Sequence, residues 1–258
     1  YPRHTGLVVF VAGPAQLAFL VGRAVNPRIH GSADFPHFVG PDYVAALRYP
    51  PPEEIPRILI LTANPHDQKN IRDGQEIRDI KQMLRGSLAG RIVEPEVETS
   101  VTPEDFLAAL NHHQPHILHI SAHGSEVGEI GLVKDDGTMS KAPPDGMMRA
   151  LLAAGKSVRL IILNACYSEV LAKQLADHFD YVIGVKDPLY TTTAIAFAKG
   201  FYAALGAGKN LAEAFAQGQA LPALKDLWGT DRIQAFPRPG FDPTSWIPFP
   251  ARLFVQGA

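Results

Sequence analysis

The sequence predicts an α/β protein with a mostly parallel central sheet and helices on both faces. Three observations carry this. Short continuous apolar runs rich in branched residues recur at 57–62, 116–124, 158–166 and 181–187, as strands buried on both faces do. Amphipathic stretches with apolar spacings of three and four lie between them. The regular alternation of the two returns each strand parallel to the last.

Composition agrees. The chain has 258 residues, 46% of them hydrophobic, which is enough for a substantial core. The formal net charge is −2, with no dominant basic patch, so neither direct DNA binding nor an anionic membrane surface is expected. One cysteine excludes an internal disulfide framework and fits a reducing, cytoplasmic setting. The apolar segment 6–22 is interrupted by Pro14 and Gln16, so it reads as strand, tight turn and helix rather than a signal peptide or membrane span.

Element by element, Pro50, Pro51 and Pro52 mark an extended boundary, so residues 49–56 read as a linker between a short part, 1–48, and a long part, 57–258. The strand 57–62 comes first in the long part. Ile77, Ile80, Leu84 and Leu88 then form one helix face. Residues 91–100 read as a strand near an edge, because Pro95 lacks a donor. Thr102 as N-cap and Pro103 at the first helical position open the next helix. After the strand 116–124, Asp136-Gly137 turns a hairpin, and a helix from Pro143 ends at Gly155. The strand 158–166 leads into a helix over 168–179. The strand 181–187 leads into a long helix carrying Ile195, Ala198, Phe201, Tyr202 and Leu205, and a further helix follows at 210–221. The Pro-rich tail carries Phe and Trp and reads as an ordered closing segment.

Two strand tips stand out. His123-Gly124 ends one apolar run, and Cys166, the single cysteine, ends another. Ligands of open parallel sheets sit beyond the carboxyl ends of the strands. A thiol at a strand-to-helix turn faces a helix N-terminus, which favours thiolate, and a neighbouring imidazole can exchange protons with the thiol and the leaving group. Backbone N–H groups of Gly124 and Cys166 are candidate oxyanion donors. Side chains alternate along a strand, so Asn164 shares a side with Cys166 and is expected in the substrate pocket. Asp67, in the loop after the first strand, is a candidate negative wall that would favour a basic residue.

"HISAHG", "LIILNACYSE" and "YVIGVKDP…TTTAIAFAKGFYAALGAGKNLAEAFAQG" resemble the CHAT domain, a caspase-like cysteine peptidase family. The resemblance spans 57–258. It implies a caspase-like three-layer sandwich, a His123–Cys166 catalytic dyad, a protein substrate and no cofactor. One departure is visible: the family usually has an acidic residue near the start of the long helix, where this chain has "LYTTTA". The His112, His113, His116 and His119 cluster is broken by Pro115, so no metal site is expected there.

Residues 1–48, with an apolar strand into "GPAQLAFLVGRAVNP" and a terminal "YVAAL", resemble the final strand–helix–strand of a SAVED domain, a cyclic-oligonucleotide sensor of bacterial defence systems; read from the residues alone, the same strand and helix would extend the caspase-like sheet. That resemblance implies a protease gated by an upstream sensor, with activation by oligomerisation, as an effector of CRISPR or CBASS type in antiviral defence. The alternative readings are a non-catalytic caspase-like scaffold that binds partners, and a plain α/β ligand-binding domain with an incidental cysteine.

Overall fold

The computed structural model describes residues 55–91 and 93–250, together with the backbone of three strands nearer the N-terminus. The chain divides into two compact units, one of residues 1–55 with 252–258 and one of residues 56–251. In the first, β1 (Gly6–Val8) pairs parallel with β2 (Ser32–Val39), and β2 pairs antiparallel with β3 (Asp42–Tyr49). Residues 32–39 and 42–49 thus form an antiparallel pair of eight-residue strands, and its register shifts at Phe35/Pro36, where proline supplies no ladder donor. The expected helix after Pro14 and the closing strand beyond residue 250 lie outside the described residues.

The second unit is built on a six-stranded sheet of order β11-β10-β9-β6-β4-β5. In chain order the strands are β4 (Ile58–Thr62), β5 (Glu96–Glu98), β6 (Ile117–Ser121), β9 (Leu160–Asn164), β10 (Tyr181–Val185) and β11 (Ile233–Pro237). Every neighbouring pair is parallel except β10 with β11. The strand expected over 91–100 is only three residues long and does lie at the sheet edge. β7 (Ile130–Val133) and β8 (Met139–Ala142) form the hairpin expected at Asp136-Gly137, and Gly137 has φ 81°.

Among the described residues, six helices accompany the sheet: α1 (Asp73–Arg85), α2 (Pro103–His113), α3 (Pro144–Ala154), α4 (Glu169–Leu175), α5 (Thr191–Gly206) and α6 (Leu211–Leu224). Strand alternation sorts the core into two layers. Leu59, Leu61, Leu118, Ile120, Ile161 and Leu163 face a layer with Phe106, Leu110, Met147, Leu151, Leu171 and Leu175 of α2, α3 and α4. The opposite side chains of these strands, Ile60, His119 and Ile162, together with Ile183 of β10, face the layer of α1, α5 and α6. The α/β sandwich with a mostly parallel sheet is therefore the observed architecture.

Local signals act as expected at several ends. Thr102 accepts from the Asp105 N–H, and the Asp105 carboxylate accepts from the Thr102 N–H, a reciprocal capping box. Asn210 and Glu213 repeat it on α6. The helix expected over 168–179 is shorter, Glu169–Leu175, and Ser168 does not cap it. The Ser168 hydroxyl is buried, donates to the Leu163 carbonyl at 3.1 Å and accepts from the Val185 N–H at 2.9 Å, tying β9 to β10.

Candidate active site

The register of β6 on β9 decides which tips meet. Ser121 lies opposite Asn164. Two residues beyond these strand ends, in the turns that follow, the chains reach His123 and Cys166. Gly124 rests directly against the Cys166 peptide: a Cβ at 124 would overlap the Cys166 carbonyl oxygen and lie 3.1 Å from its nitrogen. Only a residue without a side chain allows that approach.

The tip of β6 is held from the other side by the β7 end. Gly131 N–H donates to the His123 carbonyl at 2.8 Å, and Ser125 N–H to the Glu129 carbonyl at 3.1 Å. His123 Nε2 is buried and has no hydrogen-bond partner among the described residues. Cys166 is half-buried, and its sulfur accepts the Leu189 N–H at 3.4 Å. Tyr167, next in the chain, takes the left-handed conformation with φ 58°, which bends the strand sharply into α4. Among the described residues, neither Gly124 nor Cys166 spends its backbone N–H on another backbone group.

These tips open on a cleft of about 320 Å³. One wall is Gln68, Lys69, Asn70 and Ile71, and the facing wall is Leu189, Tyr190 and Thr191. The second wall is anchored: Arg232 donates to the Pro188 carbonyl at 2.7 Å and stacks its guanidinium 3.8 Å over the Trp228 ring, which in turn meets Tyr190.

A family model, the CHAT domain, matches residues 44–226. The chain belongs to the CHAT domain family. Among curated relatives it is 26% identical over 152 residues to a probable protease of Gillisia limnaea, and 27% identical over 216 residues to a Roc-COR-CHAT protease from an unknown prokaryotic organism. The alignments take in 57% and 76% of this chain but 26% and 18% of those relatives, so the chain spans about a quarter of the length or less of each. Among solved structures, the complex of Porphyromonas gingivalis RgpB pro- and mature domains is similar in fold, with a TM-score of 0.50 at 12% identity over 74% of this chain and 49% of that one. A caspase-1 from Spodoptera frugiperda is similar at a TM-score of 0.42 and 15% identity, over 67% of this chain and 78% of that one.

In this CHAT domain the residues singled out from sequence separate into two groups. His123, Gly124, Asn164 and Cys166 line one cleft. Asp67 does not line it: its carboxylate accepts the Met139 N–H at 3.0 Å on the β7–β8 hairpin, and His66 beside it is tied to Gly137 and Asp136. The cleft wall begins one residue later, at Gln68. Asn164 lines the cleft, but its amide nitrogen also donates to Glu76 at 2.6 Å. The departure from the family pattern at "LYTTTA" falls on the cleft itself, at Tyr190 and Thr191.

The histidine cluster disperses. His113 pairs with Glu98 at 3.1 Å, His116 accepts the Arg57 N–H at 3.1 Å, and His119 pairs with Glu76 at 3.2 Å. No group of three or more potential metal ligands converges among the described residues.

Sequence reasoning missed Glu76. Its carboxylate, 2% exposed, accepts from Ser121 Oγ at 2.7 Å, Asn164 Nδ2 at 2.6 Å and His119 Nε2 at 3.2 Å. Burial pushes its pKa up, but His119 and these donors outweigh that and hold it below the usual carboxylate range. The signal was present: Glu76 stands four residues before Ile80 and eight before Leu84, on the buried stripe of α1.

Proposed function

We propose that this CHAT domain is a caspase-like cysteine endopeptidase with Cys166 as nucleophile and His123 as acid–base. The observation that carries the reading is the meeting of His123-Gly124 and Cys166 at adjacent strand tips over one cleft. The protease-named relatives support it at the level of reaction class. In the proposed reaction the thiol proton passes to His123, and sulfur attacks the carbonyl carbon of the scissile peptide. The developing oxyanion takes hydrogen bonds from the Gly124 and Cys166 N–H groups. His123 then gives its proton to the departing amine, leaving a thioester on Cys166. Water, deprotonated by His123, hydrolyses the thioester and restores the thiol.

The substrate in this reading is a protein partner, cleaved in the cytoplasm of a prokaryote. The SAVED-like character of residues 1–48, the linker over 49–56 and the peptidase domain from 57 are part of the same proposal. So is gating, in antiviral defence, by a cyclic oligonucleotide followed by oligomerisation. No helix among the described residues is long and apolar enough to cross a membrane.

Wild type, Cys166→Ala and His123→Ala, incubated with candidate partner proteins and with iodoacetamide, test the catalytic assignment. Both variants should lose cleavage, and His123→Ala should slow alkylation of Cys166. Cleavage that persists in Cys166→Ala sinks the proposal.

A further inference from the structure

At the floor of the cleft, Ser121 and Asn164 lead into a buried polar cluster that the proposed chemistry does not use. Ser121 of β6 and Asn164 of β9 are register partners, and both donate to one carboxylate, Glu76 of α1. His119 Nε2 is the third donor, and Tyr202 Oη stands 3.4 Å from His119 Nδ1. A carboxylate accepts only, so Asn164 must present its NH₂ to Glu76 and His119 its Nε2–H. Tyr202 Oη closes the cluster beyond His119, so that Glu76 gathers Ser121, Asn164 and His119, and His119 in turn meets Tyr202.

Its location matters. The bridged pair ends the two strands, two residues before His123 and Cys166. α1 thus reaches under both catalytic strands and pins them to a common point. We propose, resting on the peptidase reading, that Glu76 is a positioning residue: by tying Ser121 to Asn164 it sets the distance and height at which His123 meets Cys166. The reacting geometry is sensitive, because a displacement near 1 Å can cost on the order of 100-fold in rate. Glu76 itself touches neither the thiol nor the imidazole.

The test measures peptide cleavage and iodoacetamide labelling of Cys166 in the full chain, for wild type, Glu76→Gln, the exchange Glu76→Gln/Asn164→Asp, and His123→Ala. Glutamine keeps the size of Glu76 but turns an NH₂ toward donors. The exchange restores a matched donor and acceptor between 76 and 164. Expected is a fall in kcat on the order of 100-fold for Glu76→Gln, with KM changed by about threefold or less, loss of His123-dependent labelling, and partial recovery of both in the exchange. A folded Glu76→Gln that keeps wild-type kcat and labelling overturns the proposal. If Glu76→Gln does not fold, Ser121→Ala decides. It removes one of the three bonds, and an unchanged kcat in the folded protein overturns the proposal equally. Failure of the underlying peptidase reading looks different: wild-type labelling would then be indifferent to His123→Ala.

Discussion

The backbone of Gly124 lies against the peptide of Cys166 with no room for a methyl group between them. The obstacle is main chain, so a change of rotamer cannot relieve it. Gly124→Ala must part the two strand tips. It is expected to cost about 1–3 kcal/mol in urea denaturation and to lower cleavage on the order of 100-fold. Wild-type turnover in the alanine variant would show that contact between the tips does not set the reacting geometry.

Ser168 should behave as a structural staple. Its hydroxyl serves both the Leu163 carbonyl and the Val185 N–H in a fully buried position. Ser168→Ala leaves that N–H without its partner, and a loss of about 1–3 kcal/mol is expected. Equilibrium unfolding measures it, and a change within error would mean that another acceptor takes over.

His116 carries a pH signature. Burial, and then the charges of Arg57 and Arg159, lower its pKa from 6.5 to about 4. Its Nδ1 accepts the Arg57 N–H, which requires an unprotonated nitrogen. Between about pH 6.5 and 4 the unfolded chain takes up a proton at this position and the folded chain does not. Stability from this group is therefore full above that window and lost as pH falls through it. Urea midpoints at intervals from pH 7 to 4 should fall more steeply for wild type than for His116→Gln. Parallel curves would refute the assignment. Glu76, with its lowered pKa, contributes in the same direction at still lower pH.

Charge in the cleft predicts selectivity. Lys69 lines it, no carboxylate does so among the described residues, and Asp67 is engaged on the hairpin. Peptides with an uncharged side chain before the scissile bond should be cleaved about tenfold faster than those with Lys or Arg there, a difference of about 1.4 kcal/mol. A peptide library profile measures this, and a preference for basic residues would contradict it.

What the sequence made legible follows physical lines. Ile58–Thr62, Leu160–Asn164 and Tyr181–Val185 are buried on both faces, so their apolar runs are continuous and unmistakable. Thr102 and Asp136-Gly137 act through bonds within a few residues, which a local reading can find. β11 was hidden because it is a half-exposed edge strand ending in Pro237, whose pairing depends on β10 some fifty residues earlier. The early end of α4 was hidden because the chain turns after Leu175, with the His178 and Phe179 N–H groups both on the Leu175 carbonyl and Phe179 packed into the core. Glu76 was hidden for a related reason: a carboxylate on an apolar stripe makes sense only once Ser121, Asn164 and His119 are seen above it. His123 and Cys166 could be marked as strand tips, but their adjacency is a property of β6–β9 register and not of either segment alone.

That register constrains how such a chain can vary in length. Inserting or deleting one residue inside Ile117–Ser121 or Leu160–Asn164 would turn the side chains beyond it through the sheet, exchanging the layer of Leu118 and Leu163 for that of His119 and Ile162. A change of length in the β7–β8 turn leaves that register untouched.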